Sequence, residues 1–432
     1  MAPSRHQMLV DKMDAGPLWR DTASKVTNIK PLLNDINVDF AIIGAGFTGC
    51  SAAFTAAKNG ASVAVLEANR IGYGGSGRNV GLVNAGLWLA PDDVVKKLGA
   101  QAGEKLNSAL AAAPDLVFGL INDLDISCSA TRAGTLHCAH SKAGLRGLEQ
   151  RLSQFHVRGA PVQLLDAKET SARIGSNHYH GALFDPRAGT IQPQAYVNGL
   201  AENVRKLGAQ IYENSPVSKV QRSGSRWEVT ANGHVVRAQY LLVATNAYHQ
   251  DIDGHNASDT ATVHYFQAAS EPLNKAQREV VMCGGEGCWD TATIMKSFRL
   301  DDQGRLIFGA MGRLSGVGKS IHLAWLRRTI PKVFPTLRTL EFTHVWHGRI
   351  SMTANHIPKL VSPSNSALAV LGYSGRGIGP GTILGQYSAS HLLGLDHDDI
   401  GLQIEPQYHE RFHRVGSEFY ETAARATHLF SV

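Results

Sequence analysis

The stretch Gly44-Ala45-Gly46-Phe47-Thr48-Gly49 constrains this chain more than any other. It stands between an apolar run, Asp39–Ile43, that reads as a strand and a small-residue segment, "CSAAFTAAKNG", that reads as a helix. In a G-x-G-x-x-G turn the first glycine permits the tight turn and the second lets the backbone approach a pyrophosphate. The third lets helix and strand pack closely. Free N–H groups and the positive dipole at the helix N-terminus complete a phosphate cradle. "ASVAVLEA" then supplies a second strand ending at Glu67, placed to accept hydrogen bonds from a ribose 2′-hydroxyl. Together these pieces predict a βαβ unit that binds an adenine dinucleotide, FAD or NAD rather than NADP.

The chain has 432 residues, room for about two to three domains. Its longest apolar runs, such as Phe40–Ile43 and Leu241–Ala244, are of strand length and too short to span a bilayer. The N-terminal "MAPSRHQMLVDKMD" lacks the apolar centre of a signal peptide. Five cysteines, an odd number without C-x-x-C spacing, indicate neither a disulfide framework nor a zinc ribbon. A reduced, cytoplasmic setting is expected. The net charge of +6 is scattered, which fits a solvated surface with some preference for anionic ligands. No basic stripe with interleaved aromatics points to nucleic acid.

Residues 1–37 read as an extended lead-in. A helical stretch follows the βαβ unit at roughly Pro91–Leu124, then a strand in "TRAGTLHCAH" and a helix over Ser141–His156. From Thr262 to Met311 the chain reads mostly as strands, and Leu323–Val333 as a helix. "ALAVLGYSGRGIGPGTILGQYSASHLLG" closes with strand, glycine turn and helix. Nucleotide-type signals at both ends, with strand-rich material between, imply one domain assembled from discontinuous segments.

"GYGGSGRNVGLVNAG", residues 72 to 86, separates FAD from NAD. A loop this long and glycine-rich, entered through Arg70, is suited to run beside an extended ligand. Its backbone N–H groups are available to the pyrophosphate, the ribityl chain and the flavin edge. Arg78 offers a charge or an ion pair, and Asn79 both a donor and an acceptor.

With "PLWRDTA", "LEANRIGYGGSGRN", "DPRAGTIQPQAYVNGLA", "LLVATNAY", "RLIFGA", "WHGRISMTANHIPKL" and "GYSGRGIGPGT" added, the chain resembles the D-amino-acid-oxidase-type family of FAD-dependent oxidoreductases. Within that family it is most similar to the branch containing gamma-glutamylputrescine oxidases. The resemblance implies an α/β fold: a discontinuous, Rossmann-like FAD domain of glutathione-reductase type, plus a mainly antiparallel substrate domain. The expected boundaries are 1–37 for an N-terminal extension and 38–90, 181–250 and 345–432 for the FAD domain. Residues 91–180 and 251–344 then form the substrate domain.

By the same resemblance the cofactor residues are Gly44, Gly46, Phe47, Thr48, Gly49, Glu67, Ala68 and Arg70. The loop adds Gly75, Ser76, Arg78, Asn79, Val80, Gly81 and Leu82. Val217 is expected at the adenine, with Ala244, Thr245 and Asn246 passing the pyrophosphate. Arg349, Gly372, Gly375, Arg376, Gly377, Ile378 and Thr382 belong to the flavin end.

Three departures shape the expectation. Val80-Gly81-Leu82 replaces the branch's usual G-G-Q, so the space over the flavin is expected to differ. No cysteine lies near Gly348 and no histidine near Ser76, so the FAD is expected to be non-covalent. Ile307 stands where sarcosine oxidases carry an oxygen-activating lysine, with Lys296 one strand earlier; the acceptor is oxygen or another oxidant.

The implied reaction is oxidation of the C–N bond of a small amine or amino acid, by hydride transfer to flavin N5. The resulting imine then hydrolyses to a carbonyl product. No catalytic base is assigned, because such chemistry needs chiefly positioning of the neutral amine. Tyr265, Lys296, Arg299, His347, Arg349 and Tyr373 are the candidate substrate residues, Arg349 foremost for a carboxylate or the flavin edge. The alternatives are oxidation of a hydroxy acid or polyol, or a flavin-binding protein without turnover. "GRLSGVGKS", residues 312 to 320, has five residues where a P-loop needs four and is expected to be a loop near the substrate entrance. "HYH" and "HVWH" lack the companions of a metal site. A monomer or small homo-oligomer is expected.

Overall fold

The computed structural model describes residues 16–255 and 259–430; the polar stretch through residue 15 lies outside them. Ile36–Ile43 is the central strand of a nine-stranded sheet. Val63–Leu66 pairs with it in parallel on one side and His234–Val243 on the other. Gln210–Tyr212 and Ala367–Leu371 continue the parallel core outwards. These strands are covered on both faces, which is why they read as continuous apolar runs. Helix Phe47–Lys58 brings Cys50, Ala52, Ala53 and Ala56 to one face, where helices Pro193–Lys206 and Ile378–Leu393 join it. On the other face Val220, Trp227 and Val229, from strands Val217–Ser223 and Arg226–Ala231, meet Ala41, Ile43 and Leu66.

The second sheet has eight strands. In order they are Phe342–Met352, Ala261–Pro272, Arg305–Met311, Lys296–Leu300, Gly287–Asp290, Thr135–Cys138, Ala182–Asp185 and Gln163–Leu165. Only Gly287–Asp290 with Thr135–Cys138 is a parallel pair. Successive side chains alternate between faces. Phe266, Phe298, Phe308 and Val345 therefore share one core with Leu323, Trp325 and Ile330 of helix Gly316–Val333. Tyr265, Gln267, Ser297 and Met311, one residue out of phase, face the other way.

The structure departs from the sequence reading in four places. Ala182–Asp185 and Phe342–Met352, read wholly or partly into the FAD segments, pair within the second sheet. A short apolar strand carries no local mark of which sheet it joins. The stretch Pro91–Leu124 is three helices, Pro91–Leu98, Ala100–Ala111 and Ala113–Asp123. Gly99, at φ 85°, separates the first two. Residues 316–320, expected in a loop, open the helix Gly316–Val333.

The lead-in, finally, contains a buried anchor. Trp19, in the short helix Leu18–Thr22, is only 1 % exposed; its Nε1 donates to the Asn79 carbonyl at 2.8 Å, and its ring meets Trp346 edge-on. Gln192 Nε2 donates to the Trp19 carbonyl at 2.8 Å. Trp19→Phe keeps an aromatic ring but strands the Asn79 acceptor. It is expected to cost about 1 kcal/mol, read as a lower urea midpoint at unchanged slope. Among the described residues no helix is long and apolar enough to cross a membrane.

Candidate functional site

A cavity of 520 Å³ runs from the first sheet's glycine turn to the front face of the second sheet. Ligand sites commonly have about 300–1,000 Å³. At its first end the backbone is packed to the limit. A Cβ on Gly49 would lie 1.9 Å from the Gly44 carbonyl oxygen, and one on Gly44 2.9 Å from that of Ala244. A Cβ on Gly46 would meet Ser76 Oγ at 2.9 Å. Helix Phe47–Lys58 has Gly46 as its N-cap, so no side chain of the cap covers its first N–H groups. Ser76 Oγ takes only that of Phe47, at 3.0 Å. Glu67 accepts from Ala45 N and Asn69 N, both at 2.9 Å. Burial pushes its carboxyl above the usual range, against those two donors. A tight glycine turn, an uncapped helix and a half-buried carboxylate fit the phosphate and ribose of a dinucleotide.

The middle of the cavity is walled by the loop Gly72–Leu82, whose polar groups are largely spent on holding it rigid. Arg78 donates from Nε to the Tyr73 carbonyl at 2.8 Å and from Nη1 to that of His347 at 3.1 Å. Of the charge or ion pair expected there, the described residues show a guanidinium bound to carbonyls and no ion pair. Asn79 donates to the carbonyls of Gly75 and Ser76 and accepts from Gly81 N. Trp346 Nε1 donates to the Arg78 carbonyl at 2.9 Å. Gly348 permits this closeness: a Cβ there would lie 3.2 Å from Arg78 Cβ. Opposite, helix Ile378–Leu393 begins without a side-chain cap at Gly377, with Gly375, Gly377 and Ile378 at the cavity wall. A second set of free N–H groups thus faces the same space.

Most residues assigned to the cofactor line this cavity. Phe47, Thr48, Ala68, Val80, Leu82, Val217, Ala244, Thr245 and Asn246 do so together with those just described. Gly49, Arg70, Gly81, Gly372 and Thr382 lie outside the lining. Thr382 is buried inside its helix, donating to the Ile378 carbonyl at 2.8 Å. Gly372 N is bound to Asn246 Oδ1. Gly81 needs φ 85°, and a Cβ there would strike the Ile191 carbonyl.

The six substrate candidates divide by strand parity. Tyr265 lines the cavity, opposite Gly348 in register, but its hydroxyl is bound into the wall, 2.9 Å from Ser297 Oγ. Burial raises its pKa beyond the ordinary phenol range. Tyr373 also lines it, with its hydroxyl 2.5 Å from Thr48 Oγ1. Lys296 and His347 face away. Lys296 is paired with the buried Asp290 at 2.8 Å, and the His347 ring tilts against His264. Arg299 shares the front face but lies beyond the cavity, 3 % exposed, beneath Trp19 and donating to the Ile191 carbonyl at 2.8 Å. Arg349 borders the cavity, yet it is exposed, on the strand face opposite Gly348 and Ile350, with its guanidinium 4.4 Å from the Tyr248 ring centroid.

Sequence reasoning missed Trp289, Tyr248, Met295 and Gln267, all in the lining. The "LLVATNAY" motif ends on Tyr248; nothing local distinguishes Trp289 or Met295. Among the described lining residues Glu67 is the only carboxylate, and it sits at the turn end.

Fold and cavity are those of a dinucleotide-binding protein, with one cavity running from a glycine turn to an antiparallel sheet. The model of the family "FAD dependent oxidoreductase" matches residues 39–391, and the chain belongs to that family. It is 30% identical over 386 residues to "Probable oxidoreductase OrdL" of Haemophilus influenzae, covering 87% of this chain and 88% of that protein. It is 29% identical to gamma-glutamylputrescine oxidoreductase of Escherichia coli, covering 86% and 88%. Among solved structures, glycine oxidase from Geobacillus kaustophilus superposes with a TM-score of 0.71 at 19% identity, over 87% of this chain and 99% of that one. That likeness is one of fold.

Proposed function

We propose that the protein oxidises the C–N bond of a small amine or amino acid with non-covalent FAD. The observation that carries this reading is the single cavity joining a dinucleotide cradle to a chamber without a carboxylate among its described lining residues. The relative named for gamma-glutamylputrescine supports an amine substrate. FAD, when bound, supplies the two-electron acceptor. Gly44, Gly46 and the N-terminus of helix Phe47–Lys58 would hold its pyrophosphate, Glu67 its ribose, and the loop Gly75–Leu82 and the Gly377 turn its flavin end.

The protein's own contribution is position and dryness. Tyr265, Met295, Met311 and Ile350 give an apolar floor that favours the neutral amine over its ammonium form. With no carboxylate at this end among the described lining residues, no side-chain base is invoked and the amine reacts in its neutral form. The product imine hydrolyses to the carbonyl compound and amine or ammonia. No cysteine lines the cavity among the described residues, in keeping with non-covalent FAD. The odd number of cysteines, five, supports the cytoplasmic setting.

Anaerobic mixing with matched panels of amines, amino acids and hydroxy acids tests this. Bleaching of the oxidised flavin band by amines alone is expected. Bleaching by hydroxy acids alone overturns the reading, and bleaching by none favours a flavin protein without turnover. Peroxide measured in air with the productive substrate then separates oxidase from dehydrogenase. With Ile307 buried under Trp19 and Trp346, and Lys296 on the far face, slow reoxidation by oxygen is expected.

A further inference from the structure

The far end of the cavity has one wall that lies beyond the residues matched by the family model, the helix His413–Phe430. Met295, Met311, Ile350 and Met352 line this end from the side of the second sheet, and Phe419 and Tyr420 from the helix. Tyr420 packs into one apolar cluster with Val263, Met311 and Met352. The helix is pinned there by Thr262 N, which donates to Ser417 Oγ at 2.8 Å. Three of the chain's seven methionines therefore line a single cavity. Unbranched thioethers adapt to apolar shapes of varied outline, which suits a flexible chain better than one rigid ring.

Phe419 stands at the mouth. It is 67 % exposed and yet part of the lining, with its ring centroid 5.8 Å from that of Tyr420 and the planes at 71°. Val415 and Phe430 of the same helix are also exposed but lie outside the lining. A large ring left open to water at a cavity rim gains apolar contact when a ligand covers it. The charged side chains of the lining are held elsewhere. Glu67 sits at the glycine turn, and Arg78 is bound to two carbonyls. The guanidinium carbons of Arg349 and Arg376 each stand 4.4 Å from a ring centroid, of Tyr248 and Trp289 respectively. Neither ring belongs to the cluster around Tyr420. A charged tail laid against the methionines would give up its hydration for no counter-charge.

We propose that the space between Met311, Met352 and the helix His413–Phe430 holds an apolar tail of the substrate, so that the enzyme favours amines carrying an uncharged alkyl chain. That the tail belongs to an amine rests on the function proposed above; the apolar site does not. The reacting carbon would lie toward the Gly377 turn, with the chain running past Met311 and Tyr420 and leaving the protein under Phe419.

The test uses FAD-loaded protein and straight-chain primary amides from butanamide to octanamide, which carry neither an amine nor a hydroxyl group to oxidise. Binding is followed by titration calorimetry and by perturbation of the oxidised flavin band. The Kd is expected to fall about three- to fourfold with each added methylene, the effect of burying one such group, and to level off once the chain passes Phe419. Adipic acid monoamide, whose chain ends in a carboxylate, should bind about tenfold or more weakly than hexanamide. Phe419→Gln, at an exposed position where folding is not at stake, should weaken octanamide about threefold or more and leave butanamide within about twofold. Val415→Gln, one turn away and outside the lining, should change neither.

A Kd independent of chain length, no binding by any amide, or a carboxylate-ended chain binding as well as hexanamide would each overturn the proposal. So would an octanamide affinity that Phe419→Gln leaves unchanged or that Val415→Gln lowers equally. Because the probes are unreactive, the two readings fail separately. Length-dependent binding with a flavin bleached only by hydroxy acids would sink the amine reading and leave this one standing. Bleaching by amines without any length dependence of amide binding would do the reverse.

Discussion

Gly49→Ala is expected to yield a protein that folds less stably and purifies with little or no flavin. The added Cβ would lie 1.9 Å from the Gly44 carbonyl oxygen and 3.1 Å from its carbon, both backbone atoms that cannot rotate aside. Helix Phe47–Lys58 must therefore move off strand Ile36–Ile43, in the region where Phe40, Ile42, Cys50 and Ala53 are completely buried. Overpacking of this kind costs about 1–3 kcal/mol. The same displacement withdraws helix N–H groups from the phosphates. Loss of one charge-assisted hydrogen bond, about 1.5–3 kcal/mol, weakens flavin binding on the order of ten- to a hundredfold. Thermal midpoint and flavin Kd, measured on protein stripped and reloaded, report the two effects separately. Gly377→Ala is the contrast, because a Cβ there meets nothing within 4 Å. It should leave the stripped protein's midpoint in place and weaken only flavin binding. A Gly49→Ala protein with wild-type flavin affinity would remove the reason for reading this turn as the cradle.

That prediction was legible in the sequence because everything it needs is local. Gly44–Gly49 and Glu67 lie within one βαβ unit, where the change from a strand period to a helix period is visible. The loop Gly72–Leu82 was legible for a related reason: glycines mark close backbone approach, and the structure has backbone packed against Gly77 and Gly81. The substrate end was not legible, because strand parity decides it. Lys296 and Ser297, or Arg349 and Ile350, are adjacent in sequence yet face opposite sides of the sheet. A one-residue uncertainty in register exchanges the two sets. Arg299 has the right parity but is covered by Trp19, 280 positions earlier, a contact no periodicity announces. Trp289 is distant from Arg376 in the same sense, and only the fold brings the pair together.

Parity also explains an acid-labile seam behind the sheet. His322 and His428 are both fully buried, with their Nδ1 atoms 2.7 Å apart, and join helix Gly316–Val333 to the C-terminal helix His413–Phe430. Trp325 stacks on His428 at 3.9 Å, and Phe266 stacks on His322. Glu421 faces His322 at 3.6 Å, while Lys296 and Arg328 bring positive charge toward His428. Burial, then His322 and those cations, depress the His428 pKa to about 3. A histidine so depressed is neutral in the folded chain and protonates near 6.5 once unfolded. Its stabilising contribution is therefore complete above about pH 6.5 and is lost as the pH falls from there toward 3. At pH 5 the loss from this one residue is about 2 kcal/mol. His249 and His264, each lowered to about 4, add to the acid sensitivity of the wild type. His428→Leu is expected to be less stable at pH 8 and to lose about 2 kcal/mol less between pH 8 and pH 5, measured by urea unfolding. An unchanged pH slope in that variant would refute the assignment. Phe419 and Tyr420 of the same C-terminal helix line the cavity. Acid release of this seam should therefore loosen the chamber, and bound flavin fluorescence should rise below about pH 6 in the wild type before the global unfolding transition.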